Sequence, residues 1–199
     1  MFMTGRQGVG RPQHLGFVLI EVLITVIILA FGLLGLLGLQ SKIQLAEVDS
    51  FQRAQAILLL SDMSERINAH RWQAASYVST SPIGTGDSQP ADSDCTTKAM
   101  GQPRDICEWS NVLKGSAEKK SSNDVGAMIG ARGCIEQIQA PVVGTCTPGI
   151  YRVTVGWQGL SQTLASSLTC ANTGLYGGET YRRAIATRVT VGQPTCNTP

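Results

Sequence analysis

Residues 16–40 read GFVLIEVLITVIILAFGLLGLLGLQ and form the longest apolar run of the chain. From Phe17 to Leu39 only Glu21, Thr25 and glycines interrupt the apolar side chains. About 20 apolar residues in a helix cross the roughly 30 Å of hydrocarbon in a bilayer, so the stretch predicts a membrane-spanning helix. Glu21 is unexpected there, because a carboxylate at the centre of a spanning helix costs roughly 2.5 to 3.5 kcal/mol. A charge kept at that cost indicates a function for this side chain.

The same stretch has two possible fates, a permanent anchor or a secretory signal that is removed. A secretory signal has an apolar region of roughly 7 to 15 residues followed by a cleavage site of small residues. Here the apolar run is longer, and Gln40, Ser41 and Lys42 follow it without such a site. Arg6 and Arg11 precede the span, which by the positive-inside tendency puts the N terminus in the cytoplasm. We therefore expect a single-pass protein with its C-terminal part outside.

The rest of the chain is sized for one small domain. The whole chain has 199 residues, of which 43% are hydrophobic and 15% charged, and this allows one ordinary core besides a membrane segment. Sixteen Lys and Arg stand against 14 Asp and Glu, and Arg6 and Arg11 precede the span. The remaining charges balance, so no nucleic-acid partner is expected.

Cysteines place the C-terminal part in an oxidising compartment. All 6 follow the span, and they include no C-x-x-C pair. An even number at such spacing favours disulfides over a metal site. Sequence distance alone predicts nearest-neighbour pairing, although six cysteines allow about fifteen pairings. The predicted pairs are Cys95 with Cys107, Cys134 with Cys146, and Cys170 with Cys196.

The spanning helix is predicted to continue beyond the membrane. No proline lies between Pro12 and Pro82, and good helix formers follow the span. A helix from Phe17 to His70 would run about 80 Å at 1.5 Å per residue. Its second half is amphipathic. The predicted apolar stripe holds Phe51, Ala54 and Leu58, flanked by Ile57, Leu60 and Ile67, and the opposite face holds Gln52, Arg53, Gln55, Asp62 and Glu65.

Strands are predicted near the C terminus. The stretches YRVTVGW (151–157) and RRAIATRVTV (182–191) alternate with period two, which is typical of half-buried antiparallel strands. Residues 134–138 predict a third strand. A short helix is predicted over residues 105–115, with Asp105 as its cap. Residues 78–98 and 115–124 predict loops, so the fold class is α+β, a long N-terminal helix packed on a small antiparallel sheet.

The residues from Gly16 to Glu21 resemble the class III signal of type IV prepilins and pseudopilins. In that signal glycine precedes phenylalanine, an apolar triplet follows, and glutamate is the fifth residue after the glycine, as in GFVLIE. The basic leader, the long helix and the cysteine-bearing domain with strands complete the pattern. Two further stretches, ILAFGLLGLLGLQ and YRVTVGWQG, are most similar to the minor pilins of this family. Val18 departs from the pattern, since threonine often stands there.

The resemblance implies a pilin fold with four parts. These are a cytoplasmic leader (1–16), a membrane-spanning segment (17–39), an amphipathic helix continuation (40–77) and a disulfide-containing periplasmic head (78–199). It implies that a prepilin peptidase cuts between Gly16 and Phe17 and that Phe17 is N-methylated. Glu21 would then meet the new amine of a neighbouring subunit during assembly. The alternative is a carboxylate that snorkels to the interface or becomes protonated.

The implied function is structural. The resemblance implies a non-enzymatic subunit, held in inner-membrane lipid and then joined by the pilus assembly machinery to the major pilin and other minor pilins in a type IV pilus at the cell surface. No cofactor or metal is expected, because the sequence contains no nucleotide-binding or catalytic motif. A minor pseudopilin of type II secretion and a pilus-tip adhesin remain alternatives. Trp72, Trp109 and Trp157 are predicted to be packing residues.

Overall fold

The computed structural model describes residues 15–116, 119–120, 123–124, 128–172 and 174–193. The chain divides into two units, residues 1–46 and residues 47–199. Helix α1 spans Leu15–Ala69 and so begins in the first unit and ends in the second. This confirms the predicted helix with nearly the same bounds. A short 3-10 helix, Arg71–Tyr77, follows it.

In the second unit, α1 buries a different face from the predicted one. Phe51, Ala54, Ile57 and Leu58 were predicted to pack and are exposed, whereas Leu60 and Ile67 are buried as predicted. Gln52 was assigned to the polar face and is buried. Apolar residues lie on two adjacent faces of this helix. The face that packs in the core is the one whose apolar residues recur up to the end of α1. Its buried members are Gln52, Ala56, Leu59, Leu60, Met63 and Ile67.

The strands of the second unit form an antiparallel sheet and a short hairpin. In chain order they are β1 Ile83–Gly84, β2 Lys119–Lys120, β3 Asn123–Asp124, β4 Ile129–Gln139, β5 Gly149–Gln158 and β6 Arg182–Val191. The sheet has the order β1-β4-β5-β6, and β2 pairs with β3. The three predicted strands are confirmed as β4, β5 and β6. β1 and the hairpin of β2 and β3 lie in segments that were predicted to be loops. Strands of two residues are too short to show a periodicity, so the sequence could not reveal them.

Helix α2 spans Gln102–Leu113 and packs against β1 and β4. Asp105 was predicted to cap it, but the helix begins earlier, at a cap formed by Gly101. Pro103 in the first turn accounts for the earlier start, since proline suits a position where no N–H bond is needed. Trp109 and Leu113 are buried, as their helical spacing predicts.

Strand β5 is buried on both faces rather than on one. Val153, Val155 and Trp157 face the main core with α1 and α2. Thr154 lies on the other face and is also buried. The loop between β5 and β6 covers that second face, where its Cys170, Ala171 and Tyr176 form a small buried cluster with Cys134 of β4. The alternating pattern therefore identified the strand but not the cover supplied by a distant loop.

The disulfides confirm one predicted pair and overturn two. Cys95 is bonded to Cys107, as predicted. Cys134 is bonded to Cys170, so the pairings of Cys134 with Cys146 and of Cys170 with Cys196 are wrong. The reason is the sheet register: Cys134 lies opposite Thr154, and the loop after β5 brings the sulfur of Cys170 within 3.9 Å of the Thr154 carbonyl. Cys146 is also disulfide-bonded, and Cys196 lies outside the described residues.

Candidate functional site

The predicted cleavage site lies at the start of α1. The helix begins at Leu15, so the backbone of Gly16 and Phe17 is already helical. Glu21 follows Phe17 by one helical turn, about 6 Å along the axis. The predicted leader boundary after Gly16 therefore falls inside the first turn of the helix. Residues 1–14 of that leader lie outside the described residues.

The first unit presents an uncovered apolar helix. From Leu19 to Ala46 the side chains are exposed, and Phe31 keeps 71% of its surface accessible. The most apolar window has a mean hydropathy of 2.8, and none of it is buried within the chain. An apolar surface of this extent requires a lipid or protein cover. The described residues thus contain one helix long and apolar enough to cross a membrane, which fits a single-pass membrane protein.

Polar groups in this helix differ in how they are satisfied. The hydroxyl of Thr25 donates to the carbonyl of Val22 at 2.8 Å, and that of Ser41 donates to Leu37 at 3.2 Å. The Glu21 carboxylate makes no hydrogen bond or ion pair with any described residue. A carboxylate in an apolar surrounding is costly without a donor or a cation. Glu21 is therefore the polar group of the span whose partner must come from outside the helix.

Glycines leave an open strip along the same helix. Gly32, Gly35 and Gly38 recur every third residue, and a β-carbon built on any of them would meet no atom within 4 Å. Each glycine costs an exposed helix roughly 1 kcal/mol relative to alanine in water. Small residues in this arrangement allow another helix to approach closely. The strip thus marks a side of α1 suited to helix packing.

A charged cluster fixes the end of α1 to α2. The Arg66 guanidinium donates to Asp62 and Asp105 at 3.0 Å and to Glu108 at 2.6 Å. Burial opposes the charge of Arg66, but the hydrogen bonds to these carboxylates outweigh it and raise the pKa of the guanidinium. The contacts with α2 join residues 39 and 42 positions apart, so no local motif could have revealed them. This cluster is a structural clamp.

Tyr77 extends the clamp to the 3-10 helix. Its hydroxyl donates to Asp105 and lies 3.1 Å from Nδ1 of His70. Burial and the hydrogen bond to Asp105 raise the pKa of the Tyr77 hydroxyl. Asp105, the predicted helix cap, is therefore the acceptor that joins α2 to the segment following α1.

Asp94 and the three tryptophans are further side chains of interest in the second unit. Asp94 caps a short 3-10 helix, Cys95–Thr97, by accepting a hydrogen bond from the backbone of Thr96. Among the described residues, no group of His, Cys, Asp and Glu side chains is placed to hold a metal ion. Trp109 and Trp157 are buried packing residues, but Trp72 keeps 72% of its surface exposed, so the packing prediction for Trp72 is wrong.

Comparison with known proteins yields no relative. No family model matches this chain, no curated protein matches it, and no solved structure matches it. The fold and the site therefore define only a class, an α+β chain whose long N-terminal helix carries a membrane-length apolar segment and whose second unit is stapled by disulfides.

Proposed function

We propose that this chain is a minor pilin, a non-enzymatic subunit of a type IV pilus similar to the pilus modification protein PilV. One observation carries the proposal: Glu21 pairs with none of the described residues and lies in an uncovered apolar helix, one turn after the Gly16-Phe17 pair. A simple membrane anchor does not need an intramembrane carboxylate. A subunit that must recognise its neighbour does need such a group.

The charge of Glu21 acquires a role once the leader is removed. A cut between Gly16 and Phe17 leaves a cationic amine on Phe17, and the peptidase methylates that nitrogen. In the filament the Glu21 carboxylate pairs with the amine of an adjoining subunit. Opposite charges attract strongly in an apolar surrounding, and either one alone is costly to bury. The pair therefore sets the register in which subunits join.

The apolar surface of α1 is covered first by lipid and later by helices of other pilin subunits. Inner-membrane lipid covers it first, with the N terminus in the cytoplasm and residues 78–199 in the periplasm. Helices of the major pilin and of other minor pilins then replace the lipid as the machinery assembles the filament. The glycine strip at Gly32, Gly35 and Gly38 provides the close approach that such packing requires.

A pilus-tip binding module is the second candidate, because the aromatic side chain of Trp72 remains exposed beside a cavity. Trp72 borders a cavity of about 120 Å³, together with Arg71, Pro141 and Tyr151. Exposed aromatic side chains beside a pocket are typical of recognition sites. This function would add to filament incorporation rather than replace it.

Fractionation tests the proposed function directly. Pili sheared from cells and purified should contain this chain, and a deletion strain should carry about tenfold fewer surface pili. The rival pseudopilin function predicts that the deletion lowers protein secretion and leaves pili unchanged. If deletion abolishes attachment while pilus number and secretion stay normal, the binding module becomes the better account.

A further inference from the structure

The loop that follows β5 leaves the sheet at one particular end of the second unit. Trp157, near the end of β5, lines a cavity with Asp49 of α1, whereas Gly149, at the start of β5, lines another with Arg71, just after α1. The strand therefore runs in the opposite direction to the packed part of α1. Its last residues lie beside the part of α1 with which the second unit begins, at residue 47. The loop emerges at that end.

The same end of the second unit is closest in the chain to the membrane-length segment. Only residues 40–46 separate Leu39, the last residue of the apolar run, from the second unit. Seven residues reach at most about 25 Å even when fully extended. In a single-pass protein the surface of the bilayer therefore lies near residue 47, where the loop emerges.

The loop has a composition suited to contact with lipid. In the sequence, no Asp, Glu, Lys or Arg lies between Arg152 and Glu179, although 15% of the chain is charged. Residues 160–165 are exposed, and Leu164 keeps 94% of its surface accessible and Leu160 42%. An uncharged loop with exposed leucines can enter the boundary between headgroups and acyl chains without dehydrating a charge.

Hydrogen bonds hold the backbone of this loop in place. Arg183 donates to the carbonyl of Ser161 at 2.8 Å and to the hydroxyl of Thr163 at 2.7 Å. The backbone N–H of Thr163 donates to the carbonyl of Thr180 at 2.8 Å. Backbone groups that are bonded in this way cost less to bring into apolar surroundings. Leu164 follows directly after this fixed backbone, so its exposed side chain is presented from a defined position.

We infer that residues 160–165 bind the surface of the lipid bilayer, with Leu160 and Leu164 inserted at the boundary between headgroups and acyl chains. The leaflet is the one from which the second unit emerges. This contact holds the second unit against the membrane in addition to the connection through α1. The inference rests on the membrane-length segment and does not depend on pilus assembly.

A loop at the opposite end of the sheet provides the control. Val143 lies in the loop between β4 and β5 and keeps 66% of its surface exposed. Pro141 of the same loop lines the cavity that contains Gly149 and Arg71. Val143 is therefore an exposed apolar residue at the end of β5 that is remote from residue 47.

A nitroxide label tests for lipid contact in the full chain. The label is attached to Leu164→Cys or to Val143→Cys, and a single copy is placed in each nanodisc of phosphatidylethanolamine and phosphatidylglycerol, which excludes contact with other subunits. Oxygen concentrates among the acyl chains and a nickel chelate stays in water, so their effects on the spin relaxation of the label report its depth. Oxygen should act more strongly at residue 164 and the chelate at residue 143. Equal access of the chelate to both labels would overturn the inference.

Serine substitutions test the two leucines without replacing them by a label. The label is moved to Gln162→Cys, and Leu160→Ser and Leu164→Ser are combined. Access of the nickel chelate to the label should rise at least about threefold, because two apolar side chains are lost from the boundary. Val143→Ser is the matched control and should leave access at residue 162 unchanged. Both variants should unfold at the wild-type temperature, since the replaced side chains are exposed. Unchanged access in the double leucine variant would show that these side chains do not bind lipid.

Discussion

Trp109 of α2 lies directly over Gly133 of β4, so close that a β-carbon built on Gly133 would be 2.0 Å from Cη2 of the indole ring. The same indole donates from Nε1 to the carbonyl of Leu59 in α1 at 3.1 Å. One side chain therefore joins the sheet and both helices, and it can do so only because β4 carries no side chain at this point. This relationship fixes how α1 lies on the sheet.

Gly133→Ala should destabilise the second unit. The added methyl overlaps an indole that is fully buried and hydrogen-bonded to α1, and overpacking of this kind costs roughly 1 to 3 kcal/mol. Denaturant titration of the purified chain, followed by tryptophan fluorescence, measures the change. Gly144→Ala is the control, since a β-carbon there meets no atom within 4 Å. Equal stability of both variants would contradict the contact.

Removal of the Cys134–Cys170 disulfide should lower stability more than removal of Cys95–Cys107. The residues of the first pair are 36 positions apart and those of the second 12. Loop-closure entropy then predicts losses of about 4 and about 3 kcal/mol for the two double serine variants. Thermal unfolding gives the order. Peptide mapping without reductant checks the pairing, and a peptide that joins Cys134 to Cys146 would refute it.

Asp87 should make the stability of the second unit fall in acid. Its carboxylate is largely buried, which by itself raises the pKa, but bonds from Lys114 at 2.5 Å, Gly84 at 2.8 Å and Ser110 at 2.7 Å lower the pKa below its usual value. A lowered folded-state pKa contributes stability above the unfolded value of about 3.9, and this contribution is lost as the pH falls through the folded value.

Asp87→Asn should therefore be less stable than wild type at pH 7, by roughly 1 to 3 kcal/mol, because Lys114 is left without its counter-charge. The variant should also lose less stability than wild type between pH 5 and pH 2. Denaturant titrations across that range measure both effects. Glu65→Gln, which alters an exposed carboxylate of α1, should retain the wild-type pH profile. An unchanged profile in Asp87→Asn would refute the assignment.

Glu21→Leu separates assembly from anchoring. A helix that merely spans the membrane gains from the loss of a charge, so the variant should insert and be cleaved normally. An assembling subunit loses the partner of the Phe17 amine, so surface pili should fall to the level of a deletion strain. Glu21→Gln should fail likewise, because it keeps shape but removes charge. Pilus counts by electron microscopy decide the matter.

Thr25→Val is the matched control for Glu21→Leu. The Thr25 hydroxyl is satisfied by the Val22 carbonyl within the same helix, so its removal should leave pilus numbers unchanged. Normal piliation in the Glu21→Leu strain, alongside few pili in the deletion strain, would show that the carboxylate does not direct assembly.

The sequence predicted the long helix from its helix formers and the absence of proline, and two of the three main strands from the local alternation of apolar residues, because these signals are local. It failed where distant residues decide the outcome. Phe51 was predicted to be buried and Gln52 to be exposed, but Phe51 is exposed and Gln52 is buried, because the helix has two apolar faces and only one of them packs in the core. Cys170 reaches Cys134 through a loop whose path the sequence does not reveal.

Mass spectrometry of the mature N terminus tests the central claim most directly. The chain should be recovered from membranes and from pili beginning at Phe17, with its mass increased by one methyl group on the terminal nitrogen. A bulky residue in place of Gly16 should leave the full-length precursor in the membrane. An uncleaved wild-type chain, or one that begins at any residue other than Phe17, would contradict the assignment to the pilin class.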